Sequence, residues 1–317
     1  MDERDGNPRE RQVHQPAVCL RFSLLALCLL SLIPQAFAEA FESKDCEFDP
    51  CVIRIGVLSD MHLWLTDNPR YAVYTDHFAQ AIDQANAAEL DLVLIPGDLT
   101  NSAKAEEYAR YREMAAELKM PVLCVPGNHD TGNKVSSNKK RLVTEQRVGE
   151  YRSQLGEPWY VAEPLPGLRV VALDTSLLGS GLPSEAEQWA FLESVLAASG
   201  PSQPVRTVVL LHYPLYHDQP DEDAGYTNVD VEPRTRLLTL MERADVDLVL
   251  SGHLHDFRDV TADRGMRMIT APALSFGLPF GETPQAWMSL ELRRCDGQIE
   301  SLEQHVVSPP TLPRNKD

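Results

Sequence analysis

Basic residues are scarce in this 317-residue chain, which has 29 Lys and Arg residues against 47 Asp and Glu residues and a formal net charge of -18. A surface of that sign repels polyanions, and a duplex nucleic acid needs a basic face on its protein partner. The one local cluster of basic residues is Lys139-Lys140-Arg141, with Lys134 nearby, which we interpret as a solvated helix start. The composition therefore excludes a duplex nucleic acid as the expected partner.

Long apolar runs are also missing, since a helix that spans a bilayer needs about 20 apolar residues and the run from Phe22 to Ile33 is shorter. That run follows Arg21 and precedes the small-x-small site Ala36-Phe37-Ala38, a pattern typical of an export signal. We predict that residues 1–38 are a signal peptide cleaved after Ala38, with a retained membrane anchor as the alternative. The mature protein is then periplasmic or secreted, with no stable membrane span.

Cysteine is rare, with six residues in the chain and none inside a polar motif, which excludes a thiolate metal site. Cys46 and Cys51 lie in the N-terminal segment 39–51 and flank Glu-Phe-Asp-Pro, a spacing that an exported protein can oxidise into a small disulfide staple. Cys124 lies in an apolar run and is predicted to be a buried small hydrophobe, while Cys295 stands beside a turn. Neither is predicted to be a nucleophile.

Internal repeats and Pro-rich or Ser-rich linkers are absent from residues 52–307, which predicts one domain there and a disordered tail over 308–317. Continuous Val, Ile and Leu runs favour strands that are covered on both faces. These runs are Val52 to Leu58, Leu90 to Ile95, Pro121 to Val125, Leu168 to Leu173, Arg206 to Leu211 and Val246 to Leu250. Their alternation with helical patterns predicts an α/β fold.

Helical spacing of apolar residues predicts helices over Asp76 to Glu89 and Lys104 to Lys119. A capping box, Ser184-Glu-Ala-Glu187, predicts the start of a third helix, and a fourth is expected from about Pro233. Asp296-Gly297 predicts a hairpin that closes a second sheet. The acidic stretch from His217 to Asp223 is predicted to be disordered and to overhang the residues after His212.

Polar residues follow the predicted strands as a set of short motifs. The motifs are Asp60-Met-His62, Gly97-Asp98, Gly127-Asn-His-Asp130, His212 and Gly252-His-Leu-His255. Asp60 and His62 alternate along an extended segment, so both can face one cation. Asp98 has two carboxylate oxygens and can bridge two cations roughly 3.5 to 4 Å apart. Asn128 offers an amide oxygen, and Asp130 is expected to orient the imidazole of His129.

This ordered set resembles the calcineurin-like metallophosphoesterase superfamily over residues 52 to 275, and its form resembles the class III cyclic-nucleotide phosphodiesterase branch. The resemblance implies a four-layer α/β/β/α sandwich of two mixed sheets. It implies two divalent or mixed-valence metal ions, with mixed nitrogen and oxygen ligands that suit Mn, Fe or Zn. Asp98 would bridge both ions, and His129 would be the catalytic histidine, with Asp130 behind it. The implied ligands are Asp60, His62, Asp98 and His255 for the first metal, and Asp98, Asn128, His212 and His253 for the second.

A small phosphorylated substrate is the implied partner, attacked by a hydroxide that bridges the metals. We expect a phosphodiester, with a 3',5'-cyclic nucleotide as the example. The alternatives are an exported phosphomonoesterase and a non-catalytic metal-binding scaffold. Asn101 stands where purple acid phosphatases have tyrosine, which disfavours a tyrosinate-bound ferric site. The basic cluster at Lys139 to Arg141 has an alternative role as a clamp on a substrate phosphate, and Trp64, Tyr213 and Tyr216 are candidate pocket residues.

Protein recovered from the exported fraction is expected to begin at Glu39 and to carry an oxidised Cys46–Cys51 pair. N-terminal sequencing and thiol labelling before and after reduction measure these two features. Recovery of an intact leader, or labelling of both thiols without reduction, would contradict the respective prediction.

Overall fold

The computed structural model describes residues 52–197, 206–262, 265–293 and 297–307. The predicted signal peptide, the Cys46–Cys51 staple, Cys295 and the tail over 308–317 lie outside the described residues. The strands are β1 (Val52–Val57), β2 (Leu92–Ile95), β3 (Val122–Cys124), β4 (Tyr160–Leu165), β5 (Leu168–Ala172), β6 (Arg206–Leu210), β7 (Leu248–Ser251), β8 (Arg258–Thr261), β9 (Arg267–Thr270), β10 (Ala286–Arg293) and β11 (Ile299–Val306). The helices are α1 (Pro69–Ala87), α2 (Ala105–Ala115), α3 (Asn128–Thr131), α4 (Glu145–Leu155), α5 (Pro183–Ala197) and α6 (Val231–Arg243).

These strands form two mixed sheets. The first has the order β11-β10-β1-β2-β3, with β1, β2 and β3 parallel and β10 antiparallel to β1. The second has the order β4-β5-β6-β7-β9-β8, with four parallel central strands between antiparallel edge strands. All six strands expected from the apolar runs are present, as β1, β2, β3, β5, β6 and β7.

An apolar core holds the two sheets face to face. Leu94 of β2 and Leu210 of β6 are buried in this central core. The neighbouring Val93 points the other way, into a core with the residues of α1 and α2, because successive strand residues face opposite sides of a sheet. A third core joins the second sheet to α4, α5 and α6. The predicted four-layer α/β/β/α sandwich is confirmed. Within the described residues, no helix combines the length and apolar character needed to cross a bilayer.

Two helices begin differently from the prediction. Helix α1 begins at Pro69, well before Asp76, because Asn68 accepts a hydrogen bond from the Arg70 amide and proline suits the first helical position. Helix α5 begins at Pro183, and the capping box predicted from Ser184 is wrong. The amide and hydroxyl of Ser184 donate to the Glu145 carboxylate at 2.9 and 2.6 Å, so a residue of α4 replaces the local cap.

The β10–β11 hairpin forms, but the prediction that it closes a second sheet is wrong. It pairs with β1 at the edge of the first sheet, and the second sheet is built from β4 to β9. The strand pattern near the C-terminus predicts a hairpin but does not show which sheet accepts it, because the pairing partner lies far away in the sequence.

The acidic stretch from His217 to Asp223 is ordered, which contradicts the predicted disorder. The Glu222 carboxylate accepts hydrogen bonds from the amides of His217 at 2.9 Å and Asp218 at 3.0 Å. Acidic composition suggested solvation, whereas here an acidic side chain satisfies the backbone of its own segment.

Candidate metal centre

The seven predicted ligands converge at the carboxyl ends of parallel strands. Each of the strands β1, β2, β3, β6 and β7 is followed by at least one of them. Each ligand side chain is buried, from fully enclosed Asp60 and His212 to His253 with 8% of its surface exposed. They fall into two potential cation-binding groups that share Asp98. The groups are Asp60, His62, Asp98 and His255, and Asp98, His212 and His253.

The first group brings two side chains, His255 and Asp98, close to His62. Its Nε2 atom lies 3.1 Å from His255 Nε2 and 3.3 Å from Asp98 Oδ2. His255 Nε2 lies 3.4 Å from Asp60 Oδ1. Nitrogen and oxygen atoms bound to one metal at about 2.1 Å would stand about 3.0 to 3.4 Å apart at angles between square and tetrahedral. The spacing therefore fits ligands of a single cation.

The second group has the same spacing around His212. Its Nε2 atom lies 3.3 Å from His253 Nδ1, 3.4 Å from Asp98 Oδ2 and 3.0 Å from Asn128 Oδ1. The amide oxygen of Asn128 therefore lies where the predicted ligand of this group would be. Asp98 Oδ2 lies near both His62 and His212, which is the position of a bridging carboxylate.

Backbone carbonyls assign the tautomer of three of these imidazoles. Pro96 O lies 2.8 Å from His212 Nδ1, Phe276 O lies 2.7 Å from His255 Nδ1, and Tyr226 O lies 3.2 Å from His253 Nε2. A carbonyl oxygen only accepts, so each of these nitrogens carries a proton, and in the neutral ring the other nitrogen presents a lone pair. Lone pairs of His212 and His253 thus face each other, an arrangement that a shared cation stabilises.

The pKa values of His253 and His212 are shifted in opposite directions by their surroundings. Burial, aided by His212, lowers the pKa of His253 to about 3, so this imidazole is neutral and able to bind metal. Burial opposes protonation of His212 as well, but the Asp98 carboxylate overrides it and raises the pKa of His212 to about 9. A proton on His212 compensates in the protein alone for the negative charge that a cation would otherwise neutralise.

Strained backbone accompanies the ligands. Positive φ angles, which residues other than glycine rarely adopt, occur at five of the seven candidate ligands, and strain of this kind is typical of functional sites. They are Asp60 (54°), His62 (46°), Asp98 (51°), His253 (70°) and His255 (55°). Glycines precede Asp98, Asn128 and His253 because there is no room for a side chain. An added Cβ at Gly127 would lie under 3.0 Å from Asp98 Oδ1, and one at Gly252 would lie equally close to Asp60 Oδ2.

His129 is half-buried beside the first group, with its ring centroid 4.4 Å from that of His62. The expected contact between Asp130 and the His129 imidazole is wrong. His129 Nδ1 lies 2.8 Å from the carbonyl oxygen of Asn101, which therefore orients the ring. The Asp130 carboxylate instead accepts hydrogen bonds from backbone amides of the Asp98 loop and from that of Gly127.

Sequence reasoning missed two aromatic residues at the site. The Phe276 ring lies 4.2 Å from that of His255, and Tyr226 contacts His253 and Asn128. Neither residue belongs to a motif, so position alone carried no signal. Among the candidate pocket residues, Tyr213 is buried with its ring 4.1 Å from His253, whereas Trp64 packs on Tyr71. The basic cluster forms an exposed 3-10 helix over Lys139–Arg141.

Residues 53–257 match the sequence profile of the family described as calcineurin-like phosphoesterase. The chain belongs to this family. The matched segment contains all seven candidate ligands, and the predicted resemblance to this superfamily is confirmed. Members of the family use divalent metals, and the buried His and Asp groups described above provide the donors.

Relatives of this chain carry names of phosphodiesterases. A Synechococcus protein named probable cyclic nucleotide phosphodiesterase is 27% identical over 259 residues, which cover 78% of this chain and 91% of that protein. An Arcobacter nitrofigilis protein named probable glycerophosphodiester phosphodiesterase is 30% identical over 230 residues, which cover 70% of this chain and 71% of that protein. A dimetal phosphatase from Danio rerio has the same fold, with a TM-score of 0.52, 17% identity and coverage of 77% of this chain and 94% of its own.

Replacement of Gly127 by alanine is expected to displace Asp98 and to reduce the metal bound per protein by at least half, because the new Cβ would collide with the Asp98 carboxylate and amide. Metal analysis after reconstitution and dialysis measures this effect, with circular dichroism as a check on folding. Gly149→Ala in α4 is the matched control, since nothing lies within 4 Å of its added Cβ. Equal metal content in the two variants would show that Asp98 is not confined by Gly127.

Proposed function

We propose that this protein is a dinuclear-metal-dependent phosphoesterase that hydrolyses a small phosphodiester. The observation that carries the proposal is the position of Asp98, whose Oδ2 atom lies 3.3 Å from His62 Nε2 and 3.4 Å from His212 Nε2. One buried carboxylate between two imidazole groups suits a pair of cations and has no evident role in stabilising an apolar core. Mn, Fe and Zn all suit the nitrogen and oxygen donors.

Two bound cations would supply an activated water at neutral pH and neutralise charge on the phosphoryl oxygens. The protein's own residues would position these reactants. With the metals bound, His62, His212, His253 and His255 would present neutral nitrogens to them, and the Asn101 carbonyl fixes the His129 ring so that Nε2 is left for the substrate. We propose that His129 Nε2 donates a hydrogen bond or a proton to the departing oxygen.

Names of relatives favour a diester over a monoester, since two relatives with good coverage are named for phosphodiester hydrolysis. A 3',5'-cyclic nucleotide remains the example that we propose. The N-terminal sequence also leads us to propose that the enzyme acts after export, in the periplasm or outside the cell. Phosphomonoesterase activity is the alternative that the following assay separates.

The purified protein is expected to hydrolyse bis-p-nitrophenyl phosphate, to lose this activity with a chelator and to regain it with Mn²⁺, because the proposed reaction needs metal at both groups. Release of p-nitrophenol is the measurement. The diester should be preferred over p-nitrophenyl phosphate by kcat/KM. Preference for the monoester would favour the phosphatase, and no turnover of either compound by the metal-loaded protein would favour a non-catalytic scaffold.

Asp98→Asn and His129→Ala should have different effects, because only Asp98 lies between the two groups. Asp98→Asn should abolish turnover and lower the metal content, since the amide is neutral and its one oxygen cannot serve both the cations and the His129 amide. His129→Ala should retain both metals and lower kcat by about 10² to 10⁴. Parallel kinetics and metal analysis compare the variants. An active, fully loaded Asp98→Asn protein would rule out the bridging role.

A further inference from the structure

Residues 217–228, which we call the strap, connect the region after β6 to that before α6 and carry Tyr226 to the second group. The Glu222 carboxylate anchors the strap from within. It accepts hydrogen bonds from the amides of His217 and Asp218 and, at 2.6 Å, from Asn228 Nδ2. The Asn228 side chain in turn accepts from the Gly225 amide at 2.7 Å. Both ends of the strap are thus joined through one acidic side chain.

A buried arginine fastens the strap to the body of the domain. Arg234, in the first turns of α6, is fully buried, and its Nη2 atom donates to the carbonyl oxygen of Glu222. Its Nη1 atom lies 3.9 Å from the Glu222 carboxylate. Each acceptor of a buried guanidinium offsets part of its desolvation cost, so the bond to the Glu222 carbonyl oxygen favours this conformation of the strap. The strap is therefore preorganised rather than an unstructured cover.

Tyr226 makes two polar contacts with the second group. Its carbonyl oxygen accepts from His253 Nε2 at 3.2 Å, and its hydroxyl oxygen lies 3.4 Å from Asn128 Nδ2. The ring lies 5.0 Å from the His253 ring, while 48% of the residue remains exposed. Tyr226 therefore contacts two candidate ligands, His253 and Asn128, and also faces the solvent from which a substrate would arrive.

The direction of these hydrogen bonds leaves the hydroxyl proton of Tyr226 available for donation. Asn128 Oδ1 faces His212 Nε2, so the nitrogen of the same amide faces Tyr226. An amide nitrogen only donates, which makes the Tyr226 oxygen the acceptor and leaves its own proton free. Within the described residues, the structure gives this proton no acceptor. A phenol is protonated at neutral pH and can donate to an anionic oxygen.

We propose that Tyr226 is a substrate-positioning residue, whose hydroxyl donates a hydrogen bond to a phosphoryl oxygen bound at the second group, with Glu222 and Arg234 holding the strap that carries it. This inference rests on the proposed function, because the anion it describes is the phosphoryl group of the substrate. Tyr226 would contact the phosphoryl group from the side of the second cation-binding group, whereas His129 lies beside the first cation-binding group.

Binding of inorganic phosphate to the Mn²⁺-loaded protein tests the inference without requiring turnover. Tyr226→Phe keeps the ring and removes only the hydroxyl, so it should weaken the phosphate Kd by about 10-fold or more while metal content stays unchanged. With bis-p-nitrophenyl phosphate, the loss should fall mainly on KM. Tyr71→Phe is the control, since it removes a hydroxyl from a half-buried ring that packs on Trp64.

A phosphate Kd for Tyr226→Phe within twofold of the unaltered protein would overturn the proposal, and so would loss of metal from this variant. Failure of the unaltered protein to hydrolyse any diester would instead count against the proposed function. The phosphate titration distinguishes these cases because it measures binding of the anion alone.

A double-mutant cycle tests whether the strap acts through Tyr226. Glu222→Gln removes the negative charge that accepts the strap amides and should weaken the phosphate Kd several-fold on its own. In the Tyr226→Phe background the same change should have less than a twofold effect, because the hydroxyl that Glu222 positions is already gone. Equal losses in both backgrounds would show that Glu222 does not act through Tyr226.

Discussion

The central constraint on this structure is that hydrogen-bond acceptor atoms face one another in a buried cluster. His212 Nε2 lies 3.0 Å from Asn128 Oδ1 and 3.3 Å from His253 Nδ1, while backbone carbonyls hold the ring protons of both histidines on the opposite side. Neutral lone pairs at this spacing repel each other, and burial shields them from bulk solvent. A cation, or in its absence a proton, is needed among them. The affinity of this cluster for positive charge is therefore a property of the folded chain itself.

The same constraint accounts for the backbone around the cluster. To bring carboxylate and imidazole groups from separate strands within 3.4 Å, the chain must turn sharply as each strand ends. The turns place Asp60, Asp98 and His253 at positive φ and leave no volume for a side chain at Gly127 or Gly252. Such conformations cost about 1 to 3 kcal/mol each, and the burial of apolar residues in the three surrounding cores offsets that cost. The two packed sheets thus hold the backbone in strained conformations at the ends of the strands that carry these residues.

Sequence alone predicted what depends on local pattern. Continuous apolar runs identified six strands, and the polar residues that follow them identified the side chains that converge, because strand direction places those residues at one edge. Contacts made by distant partners were not predictable in this way. Glu145 replaces the local cap of α5, and Arg234 orders an acidic stretch that composition suggested was disordered. In both cases a charged group from another element pairs with local polar groups. Glu145 accepts from the amide and hydroxyl of Ser184, and Arg234 donates to the carbonyl oxygen of Glu222.

Asp130 shows how such a distant contact determines the geometry of the site. Its carboxylate accepts from the amides of Leu99 and Thr100, at 3.0 and 3.1 Å, and from that of Gly127 at 2.9 Å. It therefore joins the loop that carries Asp98 to the turn that begins with Asn128. The amide of His129 donates to Asp98 Oδ1 at 2.8 Å and makes a second connection between the same two segments. These backbone hydrogen bonds fix Asp98 and Asn128 relative to each other, and so set the distance between the two cation-binding groups. A change at Asp130 would therefore affect metal binding through Asp98 rather than through His129.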